Sequence, residues 1–236
     1  MLQPHAHREA VTVDRREGPY GEIVLRRRDT HFEIIANGTF LMDTSDGRSE
    51  RLLVDAALQA LDPAIAAPHL LIGGLGVGFS LARAAARPRW HRISVVERDP
   101  AVVDWHRQGH LAPYSEGALD DPRVALVAED LVAHLLRTAD TPGSGPAPEP
   151  YDALCLDIDN GPDWTVTENN GSLYSPSGLA ACRGRLNPGG VLAVWSAQPS
   201  AAFETALRDA GFTRVCTLEV PVRRGVPDVV HVAVKA

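Results

Sequence analysis

Four glycines in six positions, Gly73, Gly74, Gly76 and Gly78, follow a short apolar run in "LLIGGLGVGFSLARA". A turn of this kind, ending a strand and opening a helix, lets a ligand approach backbone N–H groups because no Cβ stands in the way. Glu97 closes the next apolar run, "ISVVERDP", where an acid accepts hydrogen bonds from ribose hydroxyls in nucleotide-binding βαβ units. Asp130 follows the third run in "VALVAEDLVAHL", placed either to cap a helix or to accept from an adenine amino group. The fourth run ends in a polar cluster, "DALCLDIDNGPDW". There Asp157 stands at the strand end, with Asp159, Asn160 and Trp164 after it, at the edge where α/β sheets present reacting groups.

Other chemistries lack their residues. Counting from Gly74 and Gly76, the third glycine of a dinucleotide fingerprint falls on Phe79, which argues against a nicotinamide enzyme. His106 and His110 are at helical spacing but have Gly109 between them and no acidic third ligand, so no metal site is expected. No G-x-S-x-G elbow is present. Cys155, Cys182 and Cys216 are odd in number and far apart, which suits a reducing compartment better than a disulfide framework.

These side chains need a sheet to hold them. From Pro68 onward, apolar strands alternate with helical segments, the pattern of βαβ units and a parallel sheet. Helix starts are marked by Asp99 before Pro100, Ser175 before Pro176 and Ser200 after Pro199. The last segment, "TRVCTLEVPVRRGVPDVVHVAVKA", reads as an antiparallel hairpin that closes the sheet. Upstream, residues 1–20 are polar and patternless and are expected to form a flexible arm. Residues 21–48 read as a small β-hairpin unit, with Asn37-Gly38 as its tight turn. Residues 49–236 are then the main domain, opened by a helix over 49–61 that Pro63 stops. The stretch "ADTPGSGPAPEP", residues 139–150, reads as a long surface loop within that domain rather than a linker.

Composition sets the remaining bounds. The chain has 236 residues, 44% of them hydrophobic, enough for one substantial core. A net charge of −7 and no long run of Lys and Arg argue against a nucleic-acid partner. Without an apolar leader or a long apolar span, a soluble, cytoplasmic protein with no membrane partner is expected.

Taken together, these segments resemble the spermidine synthase-like (polyamine aminopropyltransferase-like) branch of the class I S-adenosylmethionine-dependent methyltransferase superfamily. The resemblance rests on "LLIGGLGVGFSLARA", "ISVVERDPAVVDW", "DPRVALVAEDLVAHL", "YDALCLDIDNGP" and "LYSPSGLAACRGRLNPGGVLAVWSA", in family order over residues 68–200. It implies a Rossmann-like α/β fold with a mostly parallel seven-stranded sheet. It also implies that Gly73, Gly74, Gly76 and Gly78 line the nucleoside and sulfonium pocket, that Glu97 holds the ribose and Asp130 the adenine, and that Asp157 faces the sulfonium side chain or the acceptor. The family carries an Asp-x-x-Asp pair at this last position, whereas here the second residue is Asn160, a carboxamide that cannot take a proton. Asp159 lies one residue short of it. Where the family has Tyr-His-Glu before the first long helix, this chain has Arg48-Ser49-Glu50.

The resemblance therefore implies a transferase with S-adenosylmethionine or its decarboxylated form as donor and a small-molecule acceptor. With the second carboxylate missing, methyl transfer ranks narrowly ahead of aminopropyl transfer. Asp157, Asp159 and Asn160 are the expected reaction-zone residues. A noncatalytic nucleoside-binding protein that keeps the fold is the remaining alternative, and the edge of the N-terminal β-unit makes a homodimer the expected assembly.

Overall fold

The computed structural model describes residues 9–137, 149–158, 160–165, 170–222 and 225–236. Internal contacts divide the chain into two compact units, with the division after Asp46.

The first unit is an antiparallel sheet of four strands in sequential order: β1 (Val11–Gly18), β2 (Gly21–Arg28), β3 (His31–Ala36) and β4 (Thr39–Asp43). Asn37 (φ 50°) and Gly38 (φ 77°) both adopt the left-handed conformation that a two-residue hairpin turn requires. The Asn37 amide also ties the neighbouring turn, accepting from the Glu22 N–H at 2.9 Å and donating to the Tyr20 carbonyl at 3.1 Å. Of the expected arm over residues 1–20, residues 1–8 lie outside the described residues and the rest is corrected here, because Val11–Gly18 is a strand paired along its length with β2. Its charged residues meet one another, Arg16 bonding Asp14 at 2.8 Å and Arg15 bonding Glu22. An outer strand with both faces half wet needs no apolar alternation, so its sequence carries no strand signal.

The second unit is built on a seven-stranded sheet. Its parallel strands are β5 (His69–Gly73), β6 (Arg92–Glu97), β7 (Val124–Ala128), β8 (Tyr151–Leu156) and β9 (Leu186–Ser196). The hairpin β10 (Phe212–Val220) and β11 (Asp228–Lys235) completes it, with order β10-β11-β9-β8-β5-β6-β7. Because β11 runs antiparallel to β9, its first residues lie beside the last residues of β9: Val229 pairs with Ser196. The carboxyl edge of the parallel strands therefore receives the start of β11 as well.

Helices cover the sheet. Helix α1 (Arg48–Ala60) buries Leu53, Val54, Ala56 and Ala57 and packs on β8, β9 and β11. Then follow α2 (Phe79–Ala85), α3 (Pro100–Arg107), a single turn α4 (Ala112–Ser115), α5 (Leu131–Leu136), α6 (Pro176–Arg185) and α7 (Ala201–Asp209). Asp99, Ser175 and Ser200 cap α3, α6 and α7 through side-chain acceptors. All six residues of β8 and all five of β5 are buried, as strands covered on both faces must be. Most of the expected 139–150 loop lies outside the described residues. No described helix is long and apolar enough to cross a membrane.

Candidate active site

The glycine turn joins β5 to α2, and at two of its glycines a side chain has no room. A Cβ on Gly74 (φ +91°) would lie 2.5 Å from the Asp157 carbonyl oxygen, so the turn rests directly on the end of β8. A Cβ on Gly78 (φ +100°) would lie 2.8 Å from His106 Cε1. His106, on α3, donates from Nε2 to the Gly76 carbonyl at 2.9 Å, and its Nδ1 meets Ser115 Oγ at 3.1 Å. Burial holds this imidazole below its usual pKa and so favours the neutral ring that donates from one nitrogen and accepts at the other. His106 thus props the glycine turn, a role that helical spacing against His110 does not reveal.

Glu97 ends β6 with its carboxylate nearly out of solvent. One oxygen accepts from the Leu75 N–H at 2.9 Å and the other from the Asp99 N–H at 2.7 Å. Burial raises its pKa and the two amide bonds oppose that rise. The expected ribose acid is therefore also the clamp of the glycine turn, with lone pairs left over for hydroxyl donors. Asp130 spends one oxygen capping α5, accepting from the Ala133 N–H at 3.0 Å, and its other oxygen lies 4.0 Å from Arg98. Its capping role is thus the one in place.

Asp157 follows β8, its N–H donating to the Gly73 carbonyl at 3.0 Å. Two further residues, Asp159 and Asn160, are expected to share its zone. Asp159 lies outside the described residues. Asn160 is buried, and its main-chain carbonyl accepts from the Ala197 N–H at 3.0 Å. Gly161 fits tightly behind it, since a Cβ there would lie 2.2 Å from Ser196 Oγ. The loop is in this way fastened to the end of β9. Trp164 is 55% exposed.

Two further acids arrive from elsewhere in the chain. Glu50, in the first turn of α1, and Asp228, first residue of β11, are bridged by Ser49. Its hydroxyl lies 3.0 Å from Glu50 Oε2 and 3.1 Å from Asp228 Oδ2. Ser80, on α2, hydrogen-bonds the Asp157 carboxylate and lies 3.3 Å from the Glu50 carbonyl. Burial, then the charge of Asp157, pushes Glu50 up to about 8. Burial and the charge of Asp228 push Asp157 up to about 7, against the Ser80 bond. The two titrate as a linked system. Glu50 and Asp157, whose burial opposes their ionisation, and Asp228 thus gather close to the glycine turn. The spacing of Glu50 in "RSE" gave a partial signal for this; Asp228 gave none, because only the position of β11 in the sheet brings it here.

A parallel sheet closed by an inserted antiparallel strand, with a glycine turn answered by an acid at the end of the next strand, defines the class I methyltransferase-type nucleoside-binding fold. No protein-family model matches the chain. It is 32% identical over 186 residues to the polyamine aminopropyltransferase of Mycobacterium tuberculosis, covering 78% of this chain and 32% of that protein. It is also 32% identical over 179 residues to polyamine aminopropyltransferase 2 of Pseudomonas aeruginosa, covering 70% of this chain and 45% of that one. The chain thus spans about a third to under half of the curated relatives it matches. Among solved structures, a spermidine synthase in complex with the transition-state analogue AdoDATO superposes with a TM-score of 0.75 at 17% identity, covering 96% of this chain and 74% of the other. The spermidine synthase of Thermotoga maritima gives 0.72 at 16% identity, covering 96% and 73%. The chain belongs to the spermidine synthase-like branch of the class I S-adenosylmethionine-dependent methyltransferase superfamily.

Proposed function

We propose that the chain is an aminopropyltransferase, moving the aminopropyl group of decarboxylated S-adenosylmethionine to a small polyamine acceptor. This reverses the ranking suggested by Asn160, which put methyl transfer first; the relatives favour aminopropyl transfer. The observation that carries the reading is the convergence of Glu50, Asp157 and Asp228 beside the glycine turn. Decarboxylated donor and polyamine acceptor are both cationic at their amino ends, and such a pocket suits them. The carboxylate of intact S-adenosylmethionine would meet like charge there.

The sulfonium already activates its carbon, so the protein's work is positioning and proton removal. The acceptor nitrogen attacks the methylene carbon bonded to sulfur, the C–S bond breaks, and methylthioadenosine leaves with the electron pair. The proton lost by the acceptor nitrogen needs a nearby base, and a carboxylate with a raised pKa serves better than one at its ordinary value. Gly74 and Glu97 would set the nucleoside against Asp157 through the clamped turn. In the N-terminal unit, β1 and β4 are the outer strands, and we propose that a second copy pairs there to form a homodimer.

The test is turnover. With putrescine or spermidine as acceptor, methylthioadenosine should form from decarboxylated S-adenosylmethionine and not from S-adenosylmethionine. Methyl transfer to an amine, or binding of methylthioadenosine without turnover of either donor, would overturn the proposal.

A further inference from the structure

The place of the site follows from the strand ends, the glycine turn and the relatives, but the group that receives the acceptor amine does not. Asn160, as a carboxamide, cannot take its proton. We propose that Asp228, held by Ser49 and Glu50, is the carboxylate that binds the acceptor amine and takes its proton. This inference rests on the aminopropyl-transfer reading above.

The argument begins with counting protons. The Ser49 hydroxyl lies within hydrogen-bond distance of both Glu50 Oε2 and Asp228 Oδ2, yet it has one proton to donate. Two ionised carboxylates cannot both be satisfied by it. A proton on one of the acids would make both contacts hydrogen bonds, so the bridge is suited to hold one when no substrate is bound. A substrate ammonium, with several N–H donors, satisfies the same oxygens without it and displaces it. Asp228 is the member of the bridge that reaches the carboxyl edge from the opposite side of the sheet to β5 and β6, where the nucleoside turn lies. It is half-buried, whereas Glu50 and Ser49 are buried behind it.

Among the described residues, each element packed against this bridge contributes polar or charged groups. Helix α1 contributes Ser49 and Glu50; its Arg48 donates to the Pro221 carbonyl at 3.1 Å, and Arg51 stacks 4.5 Å from the centre of the Phe79 ring. The end of β8 contributes Asp157 and α2 contributes Ser80. Farther along β11, His231 bonds Thr217 on β10 at 2.9 Å. In the transfer step, the new N–C bond forms as the C–S bond breaks, and the proton of the acceptor nitrogen passes to Asp228.

The experiment compares Asp228→Asn, Asp228→Glu and Ser49→Ala with the parent chain in two assays. In turnover, Asp228→Asn should raise the KM for putrescine tenfold or more and abolish the acid-side fall of kcat/KM. Its affinity for methylthioadenosine should stay within twofold. Asp228→Glu should recover part of the loss, and Ser49→Ala should shift the acid-side midpoint. In calorimetry, putrescine binding to the protein saturated with methylthioadenosine should release more protons in the parent than in Asp228→Asn. An unchanged putrescine KM and pH profile in Asp228→Asn overturns the inference, as does equal loss of methylthioadenosine and putrescine binding. Should the parent turn over neither donor, the transferase reading fails, and calorimetry still decides on Asp228. Putrescine binding lost in Asp228→Asn alone supports an amine pocket, and binding that is unchanged or absent in the parent ends it.

Discussion

At the scale of single residues, the site is a set of acids whose surroundings oppose their charge. Glu97 is satisfied by two backbone amides in a dry setting. Replacing it with alanine leaves the Leu75 and Asp99 N–H groups without their acceptor, and Glu97→Ala should lose about 1–3 kcal/mol in urea unfolding. Glu97→Gln keeps one acceptor and should lose less, while both variants should bind methylthioadenosine more weakly. The Glu50 and Asp157 pair makes a different prediction. Both hold protons more tightly in the folded chain than at their ordinary values. Between about pH 4 and 8 these two groups therefore bind more protons in the native state than in the unfolded chain, and their contribution to stability falls as pH rises through that window, while buried imidazoles such as His69, held down at about 4, act in the opposite sense below about pH 6.5. The contribution of the two acids is fully present below the ordinary carboxylate range and is lost above the raised values. Thermal melts from pH 7 to 9, above the range in which the buried imidazoles act, should show this decline in the free protein, and Glu50→Gln should flatten it. A parent chain whose melting point climbs steadily to pH 9 would contradict the charge frustration described here.

At the scale of elements, two contacts set the geometry: the glycine turn on the end of β8, and β11 beside the end of β9. The first predicts the effect of Gly74→Ala. The backbone is left-handed there and the added methyl would collide with the Asp157 carbonyl, so stability should fall by about 1–3 kcal/mol and the end of β8 should move. Loss of donor affinity with the same substitution, seen by calorimetry with methylthioadenosine, would tie the turn to the nucleoside; unchanged affinity would place the nucleoside elsewhere. These elements differ in how far the sequence exposes them. The parallel strands announce themselves because strands buried on both faces are continuous apolar runs, and helix starts because capping side chains sit before Pro100, Pro176 and Ala201. Strand β1 is silent, since its polar residues pair with each other at a sheet edge. Asp228 is silent for a topological reason: nothing near it in sequence is catalytic in character, and only the insertion of β11 between β9 and β10 carries it to Ser49. His106 is silent as well, because its partners, the Gly76 carbonyl and Ser115, lie outside its own helix.

At the scale of the whole molecule, charge distribution links the pocket to its surroundings. The chain carries a formal net charge of −7, and the carboxyl edge of its sheet adds a local concentration of acids. Under the proposed transfer, an acceptor polyamine carries several positive charges, so both the far field and the pocket would draw it in. Methylthioadenosine is uncharged and feels neither. The two ligands should therefore part company as salt is raised. Between about 0.01 M and 0.15 M ionic strength the screening length falls from about 30 Å to about 8 Å, which removes long-range attraction and spares contacts in the buried pocket. The kcat/KM for spermidine should drop several-fold over this range, and more steeply than for putrescine because spermidine carries one more charge. The kcat itself should change little, because the bound amine sits within the screened distance. Methylthioadenosine affinity should hold constant and so rules out a general effect of salt on the fold. Steady-state kinetics with both amines at fixed donor concentration provide the measurement. An equal salt response for both amines, or none, would show that the net charge of the molecule plays no part in capturing the acceptor and that recognition is confined to the contacts at Glu50, Asp157 and Asp228.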